Sequence, residues 1–187
     1  MLIRPDTIYQ TKEGTLSGSD IIKSEKRVKE LKGVFENEAV RNTMDQEAVI
    51  YRVEMHAKEK EGIEGGLFFG TSYVNPGVVG DEYFMTKGHF HAKTDRAEYY
   101  WCIKGEGVLI LMDREGECRG ETMVPGSLHY IPGYVAHRIA NTGNETLVVG
   151  ACWPSDAGHD YQTIMDKGFT ARLKRIDGKP RLVKADR

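Results

Sequence analysis

Beyond residue 48, apolar and polar side chains alternate with period two along most of the chain. Val49-Ile-Tyr-Arg-Val-Glu-Met55 puts Val49, Tyr51, Val53 and Met55 on one face and Arg52 and Glu54 on the other, which predicts a half-buried strand. Leu67–Val74 predicts a second strand, stopped by the turn formers Asn75-Pro76-Gly77. Glu98–Ile103 and Val108–Met112 flank Lys104-Gly105-Glu106-Gly107, the pattern of a hairpin with a short glycine-containing loop. Short strands are predicted over Arg119–Met123, Leu128–Ile131, Val135–Asn141 and Thr146–Trp153, separated by Pro125-Gly126, Pro132-Gly133 and Thr142-Gly143-Asn144. Asp177-Gly178 predicts a last hairpin joining Phe169–Ile176 to Arg181–Lys184.

Only the first third departs from this rhythm. Ser19 or Asp20 stands where a helix N-cap belongs, and Ile21, Val28 and Leu31 share a face at helical spacing, so a helix is predicted from Ile21 to Leu31. A second helical turn is expected over Glu36–Thr43. The whole reads as one all-β domain, a barrel or sandwich over 49–187 preceded by an arm over 1–48. No internal repeat or low-complexity linker interrupts it.

Composition narrows the setting without naming a function. At 187 residues one domain can bury roughly two-thirds of its unfolded surface without help from disulfides. A net charge of -2 gives no reason to expect nucleic acid or a membrane as partner. No apolar run approaches the roughly 20 residues of a membrane span, and Pro5 and Asp6 interrupt the N-terminus too early for a secretion signal. Cys102, Cys118 and Cys152 are an odd set with no C-x-x-C spacing, as expected of reduced thiols in a cytoplasmic protein.

The chemistry concentrates in Thr86-Lys-Gly-His89-Phe-His91-Ala-Lys-Thr-Asp-Arg-Ala-Glu98. On extended backbone, residues two apart point the same way, so His89 and His91 aim their imidazoles to one side. Glu98 heads the next strand and supplies a carboxylate if the chain folds back. His137 adds a third imidazole from a distant strand-entry segment. Three nitrogens and one oxygen suit a divalent transition metal and leave coordination positions open, as a catalytic site requires. His129 and His56 lack such partners: His129 is read as a barrel-wall residue near the site and His56 as structural. Lys87, Lys93 and Arg96 form a positive cluster beside the metal segment, suited to a phosphate.

These residues match the paired cupin motifs: H-x-H, then E, then glycine at Gly105, followed by Gly126, Pro132, His137 and Asn141. Phe84-Met-Thr-Lys-Gly-His-Phe-His-Ala-Lys-Thr-Asp-Arg-Ala-Glu98, with its six residues between His91 and Glu98, and Pro154-Ser-Asp-Ala-Gly-His-Asp-Tyr161 closely resemble one group, the cupin-type glucose-6-phosphate isomerases. The similarity runs from about Val49 to Phe169. It implies a jelly-roll-like antiparallel barrel, one divalent ion per subunit on His89, His91, Glu98 and His137, and interconversion of glucose 6-phosphate and fructose 6-phosphate. It favours Fe(II) or Mn(II), with Ni, Co or Zn also suiting the ligands, and a homodimer. By the same resemblance, Ser72, Thr86 and Gly88 hold phosphate, to which Lys87 of the positive cluster adds its charge. Tyr51, Tyr100, His159 and Tyr161 line the substrate cavity. Trp153 stands where the family usually has tyrosine, and indole can donate a hydrogen bond but not accept one.

Two routes remain open for moving hydrogen between C1 and C2. In one, Glu98 is the base of an enediolate path; in the other, hydride passes between carbons and needs only the metal and close positioning. His159 or Tyr161 can assist ring opening in either. A cupin dioxygenase with the same ligands is the alternative enzyme, and an isomerase acting on mannose 6-phosphate the nearest variant. A sensing cupin would need an effector domain, for which 187 residues leave no length.

Overall fold

Four antiparallel sheets account for the strands of the computed structural model, which describes residues 1–185; the last two residues of the barrel assignment lie outside that range. The hairpin β1 (Thr7–Gln10) and β2 (Thr15–Gly18) opens the chain. β3 (Ile21–Arg27) leads through a 3-10 turn at Val28–Leu31 to α1 (Glu38–Thr43), then β4 (Val49–His56), β5 (Leu67–Val74), β6 (Val78–Val79) and β7 (Glu82–Tyr83). The barrel continues with β8 (Glu98–Lys104), β9 (Gly107–Met112), β10 (Cys118–Met123), β11 (Leu128–Ile131), β12 (Ala136–Asn141) and β13 (Leu147–Pro154). Helix α2 (Tyr161–Lys167) and the hairpin β14 (Ala171–Ile176) and β15 (Lys179–Lys184) close it.

The largest sheet has the order β11-β8-β13-β5-β4-β3, and a smaller one has the order β10-β9-β12. Ile50, Val74, Leu109, Leu111, Ile139 and Val149 are buried in the core, and β9 and β12 are covered on both faces rather than one. This is the all-β barrel that the strand pattern predicts and the cupin motifs imply. Gly105 closes the β8–β9 turn with φ +81°, and a Cβ there would meet backbone of Leu147 and Thr146 at 2.9 Å. Asn141, fully buried, donates to the carbonyls of Val74 and Glu145 and accepts from the Gly143 amide. Both residues of the motif therefore serve the frame.

One prediction fails outright. Ile21–Arg27 is an edge strand of the large sheet rather than a helix. Its register explains why: Lys23 lies opposite Glu54 and Glu25 opposite Arg52, and Lys23 Nζ reaches Glu54 Oε1 at 2.9 Å. Opposite charges facing across strands add to pairing, while β4 would otherwise keep an open edge. Asp20 does not cap; at φ 56° it forms the turn into β3. Only the tail of the predicted helix curls, and Val28 and Leu31 there are fully buried. α1 forms where expected, with the Asn37 side chain capping the Val40 amide.

Candidate active site

His89 and His137 face each other because their backbones pair. The His89 amide donates to the His137 carbonyl at 3.2 Å and receives the reciprocal bond at 3.0 Å. The segment from Met85 to His89 thus runs along the free edge of β12, and the imidazole rings meet edge to face at 4.4 Å. Glu98 arrives from the opposite sheet, at the head of β8. One ligating atom each from His89, His91, Glu98 and His137 falls within 4.8 Å of all the others.

Three of those atoms are buried and lack a hydrogen-bond partner: His91 Nε2, His137 Nε2 and Glu98 Oε1. The two nitrogens stand 3.2 and 2.5 Å from the carboxylate oxygen without hydrogen-bond alignment. Orphaned buried polar atoms that converge are costly unless something fills the space between them, and a cation satisfies all of them at once. The remaining ring nitrogen of His91 donates to the Arg96 carbonyl at 2.8 Å. That bond fixes the tautomer, leaving the Nε2 lone pair aimed at the centre.

Electrostatics favour the states a cation needs at two of the positions. Burial, then the neighbouring imidazoles of His137, His159 and His91, pushes His89 well below its ordinary value and keeps it neutral. Burial alone would raise Glu98, but His137 and His91 outweigh it and hold the carboxyl at about 2. His91 goes the other way. Burial lowers it, yet the Glu98 carboxylate and the Arg96 carbonyl raise it overall, so a proton competes with a metal there.

The ligands sit at the floor of a cavity of about 240 Å³. Thr86, Lys87 and Gly88 line it from the segment paired with β12, and Tyr51, Ser72, Tyr100 and Trp153 line it from strands of the large sheet. His159 and Tyr161 stand at the mouth, their rings stacked 5° from parallel, with His159 4.4 Å from His89. The Lys87 ammonium lies 5.0 Å from the centre of the Tyr161 ring. Thr86 Oγ1 accepts from the Ile139 amide at 3.1 Å, which leaves its proton free to donate into the cavity. Each sequence-predicted site residue except His91 borders this one space, and His91 meets it through the ligand cluster.

Lys93 and Arg96 do not join them, which corrects the sequence reading. Arg96 grips the buried Asp156 through Nε at 3.1 Å and Nη2 at 2.8 Å, and Lys93 Nζ binds the same carboxylate at 2.8 Å. The His91–Glu98 loop is therefore tied to the Ser155–His159 segment, and the Arg96 carbonyl that orients His91 is held with it. The wide spacing and the second motif are one construction. His129 is likewise occupied away from the ligand cluster, between Ser127 Oγ at 2.9 Å and Glu121 at 2.8 Å.

Among the cavity residues that the sequence reading missed are Ile22, Ser24 and Lys26. They lie on β3, which was expected to be helix. Alternation over Ile21–Arg27 was the available signal, but its polar residues gave neither period an apolar stripe.

Residues 25–185 match the family model described as glucose-6-phosphate isomerase. The glucose-6-phosphate isomerase of Thermococcus kodakarensis is 46% identical over 159 residues, 84% of this chain and 83% of that one. The chain belongs to the glucose-6-phosphate isomerase family. The family member of Pyrococcus furiosus is 44% identical over 163 residues, covering 86% and 85% of the two chains. That of Sinorhizobium medicae is 40% identical over 157 residues, covering 82% and 72%, so the family's sequence spans archaeal and bacterial sources. Among solved structures, oxalate decarboxylase from Bacillus subtilis aligns with a TM-score of 0.45 at 20% identity, over 58% of this chain and 26% of that one.

Proposed function

We propose that this chain is a metal-dependent aldose–ketose isomerase interconverting glucose 6-phosphate and fructose 6-phosphate, with one divalent ion on His89, His91, Glu98 and His137. The observation that carries the metal and substrate roles is the conjunction of buried, unpartnered ligand atoms at the cavity floor with a cation-bearing wall at Thr86–Gly88. The family's isomerase activity supplies the reaction class. Bound there, a divalent ion polarises a carbonyl and stabilises negative charge on oxygen, and Fe(II) or Mn(II) is our preferred identity.

The rest of the mechanism belongs to the chain. The Thr86 hydroxyl donates to phosphate oxygens, the Lys87 ammonium neutralises them, and Ser72 contributes from β5. Tyr51, Tyr100 and Trp153 confine the carbon chain so that C1 and C2 stay over the ligand cluster. His159 and Tyr161, at the mouth beside His89, are placed to move a proton during ring opening. Glu98 holds its Oε1 toward His137 and His91. Its second oxygen is the proton carrier of an enediolate route, whereas a hydride route asks of the chain only the positioning already described.

We further propose that the chain works in the cytoplasm as a homodimer, with the arm over residues 1–48 laid against the barrel or a partner subunit. Leu2, Ile3 and Ile8 are exposed in that arm, as are Leu128 and Tyr130 on the strand at the far edge of the large sheet. Among the described residues no helix is long and apolar enough to cross a membrane.

The test supplies fructose 6-phosphate and detects glucose 6-phosphate, before and after chelation and with Fe, Mn, Ni, Co or Zn restored. Turnover should vanish with chelator and return with one ion. If protein that still binds metal turned over neither this substrate nor mannose 6-phosphate, the isomerase reading would fall and oxygen-dependent chemistry would take its place.

A further inference from the structure

A guanidinium without a carboxylate lies behind the Thr86–Gly88 wall. Arg138 follows His137 on β12 and is only 5% exposed. Its guanidinium carbon sits 3.7 Å from the centre of the Phe169 ring. Nη1 donates only to the Met85 thioether, at 2.9 Å, and thioether sulfur is a weak acceptor. Nε is buried with no partner at all. The buried acid of this region, Glu82, is already engaged by Arg172 Nη1 at 2.9 Å and by the Glu36 amide at 2.6 Å. Among the described residues, none forms an ion pair with Arg138.

Gly88 connects this charge to the cavity. It lines the cavity, and its backbone has φ +76°, a conformation glycine adopts without strain. A Cβ at that position would lie 3.1 Å from both Cβ and Nε of Arg138 and 2.8 Å from the Phe169 ring. The glycine therefore lets the cavity wall approach the guanidinium closely. Lys87 and Arg172 border the same small space as Arg138, and no acidic residue lines it.

Arginine does not shed its proton in proteins. Burying it without a countercharge is expensive, and a folded chain tolerates that cost where a ligand completes the balance. We propose that Arg138 is a positioning residue for the substrate's phosphate group: its buried, unpaired charge behind Gly88 draws the dianion onto the Thr86–Gly88 wall without touching it. The inference rests on the isomerase reading, which puts phosphate at that wall.

Arg138→Met keeps an unbranched side chain against Phe169 and Met85 and removes the charge; Arg138→Gln is a second neutral variant should the first fail to fold. With metal-loaded protein, the readouts are the thermal midpoint with and without inorganic phosphate and the steady-state kinetics on fructose 6-phosphate. For the wild type, phosphate should raise the midpoint. The neutral variants should lose most of that gain and raise KM about tenfold, the scale of a single charge acting from roughly 12 Å at protein-like dielectric rather than in contact, with a smaller fall in kcat. Without phosphate they should be at least as stable as wild type, since an uncompensated buried charge has gone. Arg138→Lys, which restores the charge, should recover part of the phosphate response.

Neutral variants that lose stability equally with and without phosphate, at unchanged KM, would show Arg138 to be packing only and overturn the proposal. A wild type that neither responds to phosphate nor turns over fructose 6-phosphate would defeat the isomerase reading, and this inference with it. The two failures are therefore distinguishable.

Discussion

Two groups of cations flank the metal-ligand segment, and they are opposites in how their charge is balanced. After His91, Lys93 and Arg96 converge on the buried carboxylate of Asp156. Before His89, Lys87 faces the cavity, and Arg138 lies buried behind it with no carboxylate. A positive side chain beside a candidate phosphate site means little until its countercharge is located. The satisfied pair on one side orders a loop; the unsatisfied pair on the other leaves positive charge for a ligand to balance.

The largest effects come from the cluster between the two groups. His137→Ala should remove tightly held metal and lower turnover by about a thousandfold or more, since it takes away both a ligand and the orientation of the substrate oxygens. Metal content and rate measured on the same folded sample decide it. Full activity with metal retained would show the ligand assignment to be wrong, and full activity alongside loss of metal would show that turnover does not need the ion. Glu98→Gln sharpens the chemistry. If metal stays bound while turnover collapses, the carboxylate is needed for more than ligation, and the enediolate route gains. If both survive, Glu98 is dispensable as a base.

The comparison itself is tested by matched neutralisation. Lys87→Met should raise KM for fructose 6-phosphate about tenfold, the scale of removing one charge-assisted hydrogen bond. Lys93→Met should leave KM within about twofold, because that ammonium is already engaged by Asp156. Equal changes in both would mean that the whole positive cluster acts on the substrate, and the distinction by countercharge would collapse.

Asp156 carries the structural half. Asp156→Asn should weaken metal binding about tenfold, as removal of a partner behind a ligand commonly does, by loosening the Arg96 carbonyl that orients His91. Hydrogen bonds from Arg96, then Lys93, hold the Asp156 carboxyl well below its usual range. A depressed carboxylate contributes stability that is complete above its unfolded value near 3.9 and is lost as pH falls through the folded value. The gap in thermal midpoint between wild type and Asp156→Asn should thus be constant from neutral pH down to about 4 and narrow only in stronger acid. A gap that closed between pH 7 and 5 would assign the effect to another group.

The barrel was readable because its strands are short segments rich in β-branched and aromatic residues, cut apart by Gly, Pro and Asn turn formers. Leu67–Val74 and Leu128–Ile131 are predicted to the residue. The ligand cluster was readable because its residue types are rare in combination and its spacing is particular. Ile21–Arg27 was not, because an edge strand under little burial has weak alternation, and its partners Glu54 and Arg52 lie some thirty residues away. α2 also escaped notice; Asp160 caps it by accepting from the Thr163 amide, but the helix is short and buries only Ile164. The assignment of Lys93 and Arg96 failed for a related reason. Asp156 lies about sixty residues along the chain, and charge alone does not announce which carboxylate will answer it.

Lys26 should give the smallest effect, since it stands between the two classes. It lines the cavity from β3, so its charge faces the space where phosphate is proposed to sit, yet its ammonium also reaches Glu30 at 3.1 Å. Their side chains are 43% and 37% exposed, and an ion pair that open to water contributes no more than about 1 kcal/mol. Lys26→Gln should therefore shift the thermal midpoint by only a few degrees at most. It should raise KM by roughly two- to threefold at low ionic strength, and by less in about 0.5 M salt, where screening shortens the reach of an exposed charge. A tenfold, salt-resistant rise would move Lys26 into the company of Lys87, showing that the edge strand grips phosphate directly and that Glu30 is its resting partner. No change at any salt would mean that Glu30 holds the ammonium throughout, and Lys26 would belong with Lys93 as a cation whose countercharge is already present.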